Sequence, residues 1–250
     1  MKIQFAKMTR IITMLTLLAA LAGCVPVSAP ASTPGASVVT APTAAAAETI
    51  ELAMGYIPSV QFAPFYVAVE KGFYREEGLE VKFRYGFESD LIKLVGSNEL
   101  QFMIGSGEEV ILGRAQGLPV IYAMSWYRKF PVVIFAPTGS GLDTPAKLIG
   151  HKIGIPGLFG ASYVGWKALV YATQLDESKV SLQSIGFTQA TAESRDQVDA
   201  ALDYVVNGPV QLRLAGEEIT VIPVSDYVDL PSNGIITNEQ TIQAQPELVR

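Results

Sequence analysis

The feature that most constrains this chain is an alternation of short strand-like and helix-like segments that runs to about Met124 and then begins again at Pro131. Ile50–Tyr56 and Gly78–Tyr85 alternate apolar and polar residues as half-buried strands do, and Leu100–Ile104 and Pro119–Met124 are short apolar strands. Between them Phe62–Gly72, Ser89–Gly96 and Glu108–Gln116 have helical spacing, the first stopping at a glycine. The second series has strands at Pro131–Ala136, Lys152–Ile155, Val180–Phe187, Val198–Val206 and Ile219–Ser225. Its helices are a short one opened by Thr144-Pro145 and a longer one over Ala161–Gln174. Ile235-Ile236 closes the series. Strands alternating with helices at such spacing imply α/β layers with largely parallel pairing. The restart implies two α/β lobes, residues 49–130 and 131–222, with 223–250 returning to the first.

The front of the chain belongs to neither lobe. Lys2, Lys7 and Arg10 precede the apolar run Ile11–Ala22, a basic start and short apolar core expected of a secretion signal over 1–23 and too short to span a bilayer. The run ends Leu21-Ala22-Gly23-Cys24, which resembles the lipobox of bacterial lipoproteins, so Cys24 is the expected lipidation site. A diacylated cysteine supplies the more-than-one acyl chain that stable anchoring needs. Val25–Ala47 carries no charge and is built, apart from Gly35, from Ala, Pro, Ser, Thr and Val, a composition that stays extended; residues 24–48 are read as a tether.

Several function classes are excluded at this level. Cys24 is the single cysteine, so an internal disulfide and a thiolate metal cluster are out of reach, and with His151 the single histidine a zinc cluster lacks ligands. His151 follows Gly150 just before a strand and is read as a solvated turn residue, which leaves no histidine for a triad. Loss of Lys2, Lys7 and Arg10 with the signal takes the formal charge from -6 to -9. That acidity, with no basic patch interleaved with aromatics, argues against nucleic acid. Neither Gly105-Ser106-Gly107 nor Gly139-Ser140-Gly141 completes a dinucleotide fingerprint. No catalytic residue, metal or cofactor is expected.

A family resemblance is carried by motifs in order along the chain. Gly72-Phe73-Tyr74 with Glu77–Val81, Gln101–Gly105, Arg114–Gly117 with Pro119-Val120, Leu148–Gly150 with Lys152–Gly154, and Val198–Ala200 are similar to segments of the THI5/NMT1-like solute-binding proteins. Ser106–Glu109, Trp126-Tyr127, Gly154–Tyr163, Ile185–Gln189 and Ser232–Thr237 resemble the riboflavin-binding RibY branch. Asn207-Gly208-Pro209 departs from the Asn-Glu-Pro expected there. The resemblance implies a two-lobed periplasmic-binding-protein fold of type II with a cleft between the lobes, riboflavin or a related heterocycle as transported ligand, and an ABC permease with its ATPase as partners. It also implies a monomer, lipid-anchored to the cell membrane on its extracytoplasmic side. A thiamin-precursor pyrimidine is the alternative ligand. The family's pyrimidine-making enzymes use an active-site His and a Cys-rich loop, and the matching Gly157–Tyr163 segment has neither.

Candidate ligand contacts fall at strand ends, where open α/β sheets bind their ligands. Gly157–Gly160 lies between a strand and a helix, so free backbone N–H groups of Gly160, Ala161, Ser162 and Tyr163 face the loop; a plain tight turn is the alternative. With no Lys or Arg from Ile153 to Trp166, the loop suits a neutral carbonyl or hydroxyl better than a phosphate. Tyr56, Phe62, Trp126, Tyr127, Phe159 and Tyr204 could stack on a flat heterocycle or pack a core, Trp126 and Tyr127 being best placed to stack. Gln61, Ser106, Gln189 and Asn207 offer donors and acceptors, and Glu108 could accept an imide N–H or simply sit well at a helix start.

Overall fold

The computed structural model describes residues 47–250. The signal segment, Cys24 and nearly all of the tether therefore lie outside the described residues. The expected strands and helices form with shifts at their ends, except that the short helix opened by Thr144-Pro145 is a 3-10 turn, Pro145–Leu148, in which the Thr144 side chain makes no capping bond. Strands β1 (Glu48–Met54), β2 (Leu79–Tyr85), β3 (Phe102–Ser106) and β4 (Val120–Ser125) alternate with helices α1 (Ala63–Glu70), α2 (Phe73–Glu76), α3 (Glu88–Gly96) and α4 (Gly107–Ala115). The second series comprises β5 (Val132–Pro137), β6 (Lys152–Ile155), α5 (Gly160–Thr173), β7 (Ser181–Ser184), α6 (Gln189–Ser194), β8 (Ala200–Tyr204), α7 (Gly208–Leu214) and β9 (Ile219–Pro223). The chain ends in β10 (Asn233–Asn238), α8 (Glu239–Ala244) and α9 (Pro246–Val249).

These strands form two five-stranded sheets, in the orders β2-β1-β3-β10-β4 and β7-β6-β8-β5-β9. Each lobe therefore has one sheet, and each sheet holds one strand that runs against its neighbours. β10 is antiparallel to both β3 and β4, and β5 is antiparallel to both β8 and β9. The pairing is thus mixed, a correction to the largely parallel expectation. The physical reason lies in the two crossovers. β5 is the first strand after the chain leaves the first sheet and β10 the first after it returns. Neither is reached by a helical crossover within its own sheet, so nothing forces it parallel.

The crossovers run side by side. The backbone N–H groups of Trp126 and Tyr127 both donate to Asn233 O, at 2.9 and 3.1 Å, and Ser232 Oγ donates to Tyr127 O at 2.7 Å. Helices on both faces of each sheet build separate cores. In the second lobe Trp166, Leu169, Ile153, Ile155 and Leu202 are fully buried, and Trp166 Nε1 finds its acceptor in Glu177 Oε1 at 2.8 Å. In the first lobe Leu91, Ile92, Val95 and Met103 pack one face, while Leu52, Phe62, Phe65 and Ile104 pack the other. α6 and α7, which periodicity did not single out, have only six and seven residues. Both are too short to display an amphipathic stripe over several turns.

Candidate functional site

The N-terminus of α5 organises the site. Phe159 occupies the N-cap position with extended backbone and no side-chain cap, so the first N–H groups of this 14-residue helix have no internal acceptor. Gly160 has φ +68°, a left-handed conformation that favours glycine. Gly157 is held small for another reason, since a Cβ there would overlap the Phe159 ring folded against it. Gly160, Ala161 and Ser162 line a chamber of about 60 Å³ between the lobes. Tyr56, Gln61, Phe87 and Glu88 face them from the first lobe, and Phe187, Asp203, Tyr204 and Asn207 complete the second-lobe wall.

Four aromatic rings close this chamber across the lobes. Tyr56 meets Phe187 edge to face at a centroid distance of 4.5 Å, and Phe87 meets Phe159 at 5.3 Å and Phe187 at 5.6 Å. Phe87 and Phe159 leave 46% and 44% of their surface exposed, whereas the core phenylalanines Phe62 and Phe135 leave 2% and 0%. The exposed rings are therefore not core, and paired exposed aromatics rimmed by polar groups mark a binding surface. A flat ring stacked on both faces needs its neighbours about 7 Å apart, twice the ~3.5 Å carbon contact distance. Entry of any flat ring between them thus requires the lobes to part or the rings to turn.

The polar part of the site is acidic and amide-rich. Glu88 Oε2 accepts from Ser106 N at 3.1 Å and from the Ser106 hydroxyl, and Asn233 Nδ2 approaches Glu88 Oε1 at 3.4 Å. Tyr204 OH donates to Asn233 Oδ1 at 2.9 Å, so a polar chain links the second lobe to Glu88. Burial, reinforced by the neighbouring Glu108 charge, pushes the Glu88 carboxyl up to about 8. Burial likewise pushes Glu108 up to about 7, and neither of its carboxylate oxygens has a hydrogen-bond partner. Asp203, pushed up to about 6 by burial, accepts from Tyr204 N at 2.7 Å and Gly208 N at 3.0 Å. Asn207 then bridges the lobes. It accepts from Ser59 Oγ at 2.7 Å and donates to Gln61 Oε1 at 3.2 Å and Asp203 Oδ1 at 3.3 Å.

The structure sorts the residues singled out from the sequence into four places. Tyr56, Gln61, Phe159, Gly160, Ala161, Ser162, Tyr204 and Asn207 meet in the chamber. Gln189 lines an adjoining space, which Tyr56 and Asn207 also wall. Ser106 and Glu108 are buried in the first lobe, Ser106 bonded to Glu88. Phe62, Trp126, Tyr127 and Tyr163 are not among the chamber's lining. Trp126 stacks on Phe62 at 5.9 Å and packs against Phe65, and with Tyr127 it lines a separate apolar groove with Pro64 and Val210. Tyr163 packs on the second-lobe core. His151 is exposed in a turn, its Nδ1 3.3 Å from Asp199. Sequence reasoning missed Phe87, Glu88, Phe187 and Asp203. The available signal was their position: Phe87-Glu88 follows β2, Phe187 follows β7 and Asp203 is the penultimate residue of β8, each at a strand's C-terminal end.

Among proteins of known name, this chain is 43% identical over 225 residues to the riboflavin-binding protein RibY of Chloroflexus aurantiacus, covering 88% of this chain and 64% of that one. It is 28% identical over 209 residues to the formylaminopyrimidine-binding protein of Halalkalibacterium halodurans, covering 82% and 63%. The chain thus spans under two thirds of the length of these relatives. Among solved structures it superposes on the periplasmic aliphatic sulphonate binding protein SsuA of Escherichia coli with TM-score 0.61 at 14% identity, covering 81% of this chain and 69% of that one. The likeness establishes the two-lobed periplasmic-binding-protein fold. Residues 59–250 match the NMT1/THI5 like family, and the chain belongs to it.

Proposed function

We propose that this protein captures riboflavin outside the cell membrane, held there by a lipid on Cys24, and delivers it to the permease of an ABC importer without altering it. The observation that carries the ligand reading is the chamber itself. Tyr56, Phe87, Phe159 and Phe187 present rings from both lobes, Phe87 and Phe159 exposed and Tyr56 and Phe187 half-buried, beside the unpaired N–H groups at the start of α5. An isoalloxazine has wide apolar faces and an edge of carbonyls with one imide N–H. Its faces suit those rings, its carbonyls suit Gly160, Ala161 and Ser162 N–H, and its imide suits an acceptor such as Glu88 or Gln61. The likeness to RibY supports the same choice.

A thiamin-precursor pyrimidine is the second reading. It is favoured by the chamber's volume of about 60 Å³, which suits one ring more readily than three as the side chains stand. Titration of riboflavin with the purified protein decides between them. Saturable quenching of flavin fluorescence at one equivalent is expected. Absence of quenching, with calorimetric binding of a formylaminopyrimidine, would establish the second reading instead.

A further inference from the structure

A second space opens beyond the aromatic chamber. It encloses about 380 Å³ and shares Tyr56, Phe187, Asp203 and Asn207 with the first as a common wall. The Tyr56–Phe187 pair, 4.5 Å between centroids, stands between the two. Ser59, Thr188, Gln189, Thr191 and Gln211 bring hydroxyls and amides to its lining, and aliphatic groups including Val206 and Val210 complete it. Gln189 is 2% exposed and its Nε2 has no hydrogen-bond partner, which is costly for a buried donor. The lining holds no Lys, Arg or His, and its one carboxylate is Asp203.

We propose that this outer chamber is a subsite for a neutral, polyhydroxylated tail on a ligand whose planar head occupies the aromatic chamber. The inference rests on the flavin reading above and adds where the tail lies and what it carries. A linear polyol has alternating donors and acceptors along its length, which a wall of hydroxyls and amides can match without a net charge. A phosphate at the end of that tail would enter a space with no cation to neutralise it and a carboxylate nearby. The two spaces join into one when the Tyr56–Phe187 pair parts, the same movement that admits a flat ring, and Asn207 lines both sides of that junction.

The test compares riboflavin, lumiflavin (the same ring system with a methyl in place of the tail) and flavin mononucleotide on the full chain. Riboflavin is expected to bind at least tenfold more tightly than either. Thr191 and Gln211 are exposed, so the Thr191→Val/Gln211→Ala variant should fold normally. It is expected to lose affinity for riboflavin by about tenfold while changing lumiflavin by less than twofold. Gln211→Arg is expected to raise the affinity for flavin mononucleotide relative to riboflavin. Equal binding of riboflavin and lumiflavin, or equal losses for both in the double variant, would overturn the tail subsite while leaving flavin binding in place. Failure of the wild type to bind any of the three would overturn the flavin reading and this inference with it.

Discussion

Replacing Asn207 by Ala should weaken the closed arrangement of the lobes without unfolding either. The side chain makes two bonds to the first lobe, from Ser59 Oγ at 2.7 Å and to Gln61 Oε1 at 3.2 Å, and one within its own lobe to Asp203. A net hydrogen bond contributes about 0.5–1.5 kcal/mol. The two inter-lobe bonds together therefore favour closure by about 1–3 kcal/mol, a factor of about 5–150 in the open–closed equilibrium. The lower half of that span is expected, because 3.2 Å is long and Ser59 is only half buried. The local fold survives, since Asp203 keeps the Tyr204 and Gly208 backbone donors and Asn207 O still accepts from Val210 and Gln211 N. A bound ligand is retained by closure, so the loss should appear as faster dissociation, about 5–20-fold, with the association rate nearly unchanged. Stopped-flow recovery of riboflavin fluorescence measures this directly, and Ser59→Ala should give a smaller effect that is not additive with Asn207→Ala. A dissociation rate within twofold of wild type, in a variant with unaltered melting temperature, would refute the latch.

Three further outcomes are expected. Glu88 and Glu108 are pushed up to about 8 and 7 by burial, so the folded state holds protons that the unfolded chain releases near its ordinary value of 4.5. Their contribution is present in full below about pH 4.5 and is lost as pH rises through about 7 and 8, at up to about 1.4 kcal/mol per pH unit across that span for each carboxyl. The melting temperature should therefore fall between pH 5 and 8.5, and Glu88→Gln/Glu108→Gln should flatten that slope; an identical slope in the variant would remove these carboxyls as its cause. Phe159→Ala takes one exposed ring from the chamber and should cost about 1–3 kcal/mol of stacking, about tenfold in riboflavin affinity, with little change in thermal stability. Cys24→Ala should shift the protein from membranes to the soluble fraction or block processing of the signal segment; unchanged, processed membrane fractionation would show that another element anchors it.

The α/β alternation and its restart were legible because they rest on short-range geometry. Side chains two apart share a strand face and those three or four apart share a helix face, so β1 to β4 and α3 to α5 can be placed from residue types alone. The loop into α5 was legible for the same reason, since Gly157-Leu158-Phe159-Gly160 between strand and helix marks a free helix N-terminus wherever the chain goes. The absence of basic residues around that loop is also a property of composition. What the tertiary structure decided is how distant segments meet. The reversal of β5 and β10 follows from the two crossovers, whose path no local pattern encodes. Trp126 and Phe87 are both aromatics near strand ends, yet one packs on Phe62 beside the crossover and the other faces Phe159 across the cleft. Asn207, Ser59 and Gln61 are ordinary polar residues in sequence, separated by nearly 150 positions, and become a latch only when the lobes approach. Local sterics specify the elements from the sequence, but long-range burial and hydrogen bonding select which of their ends face one another.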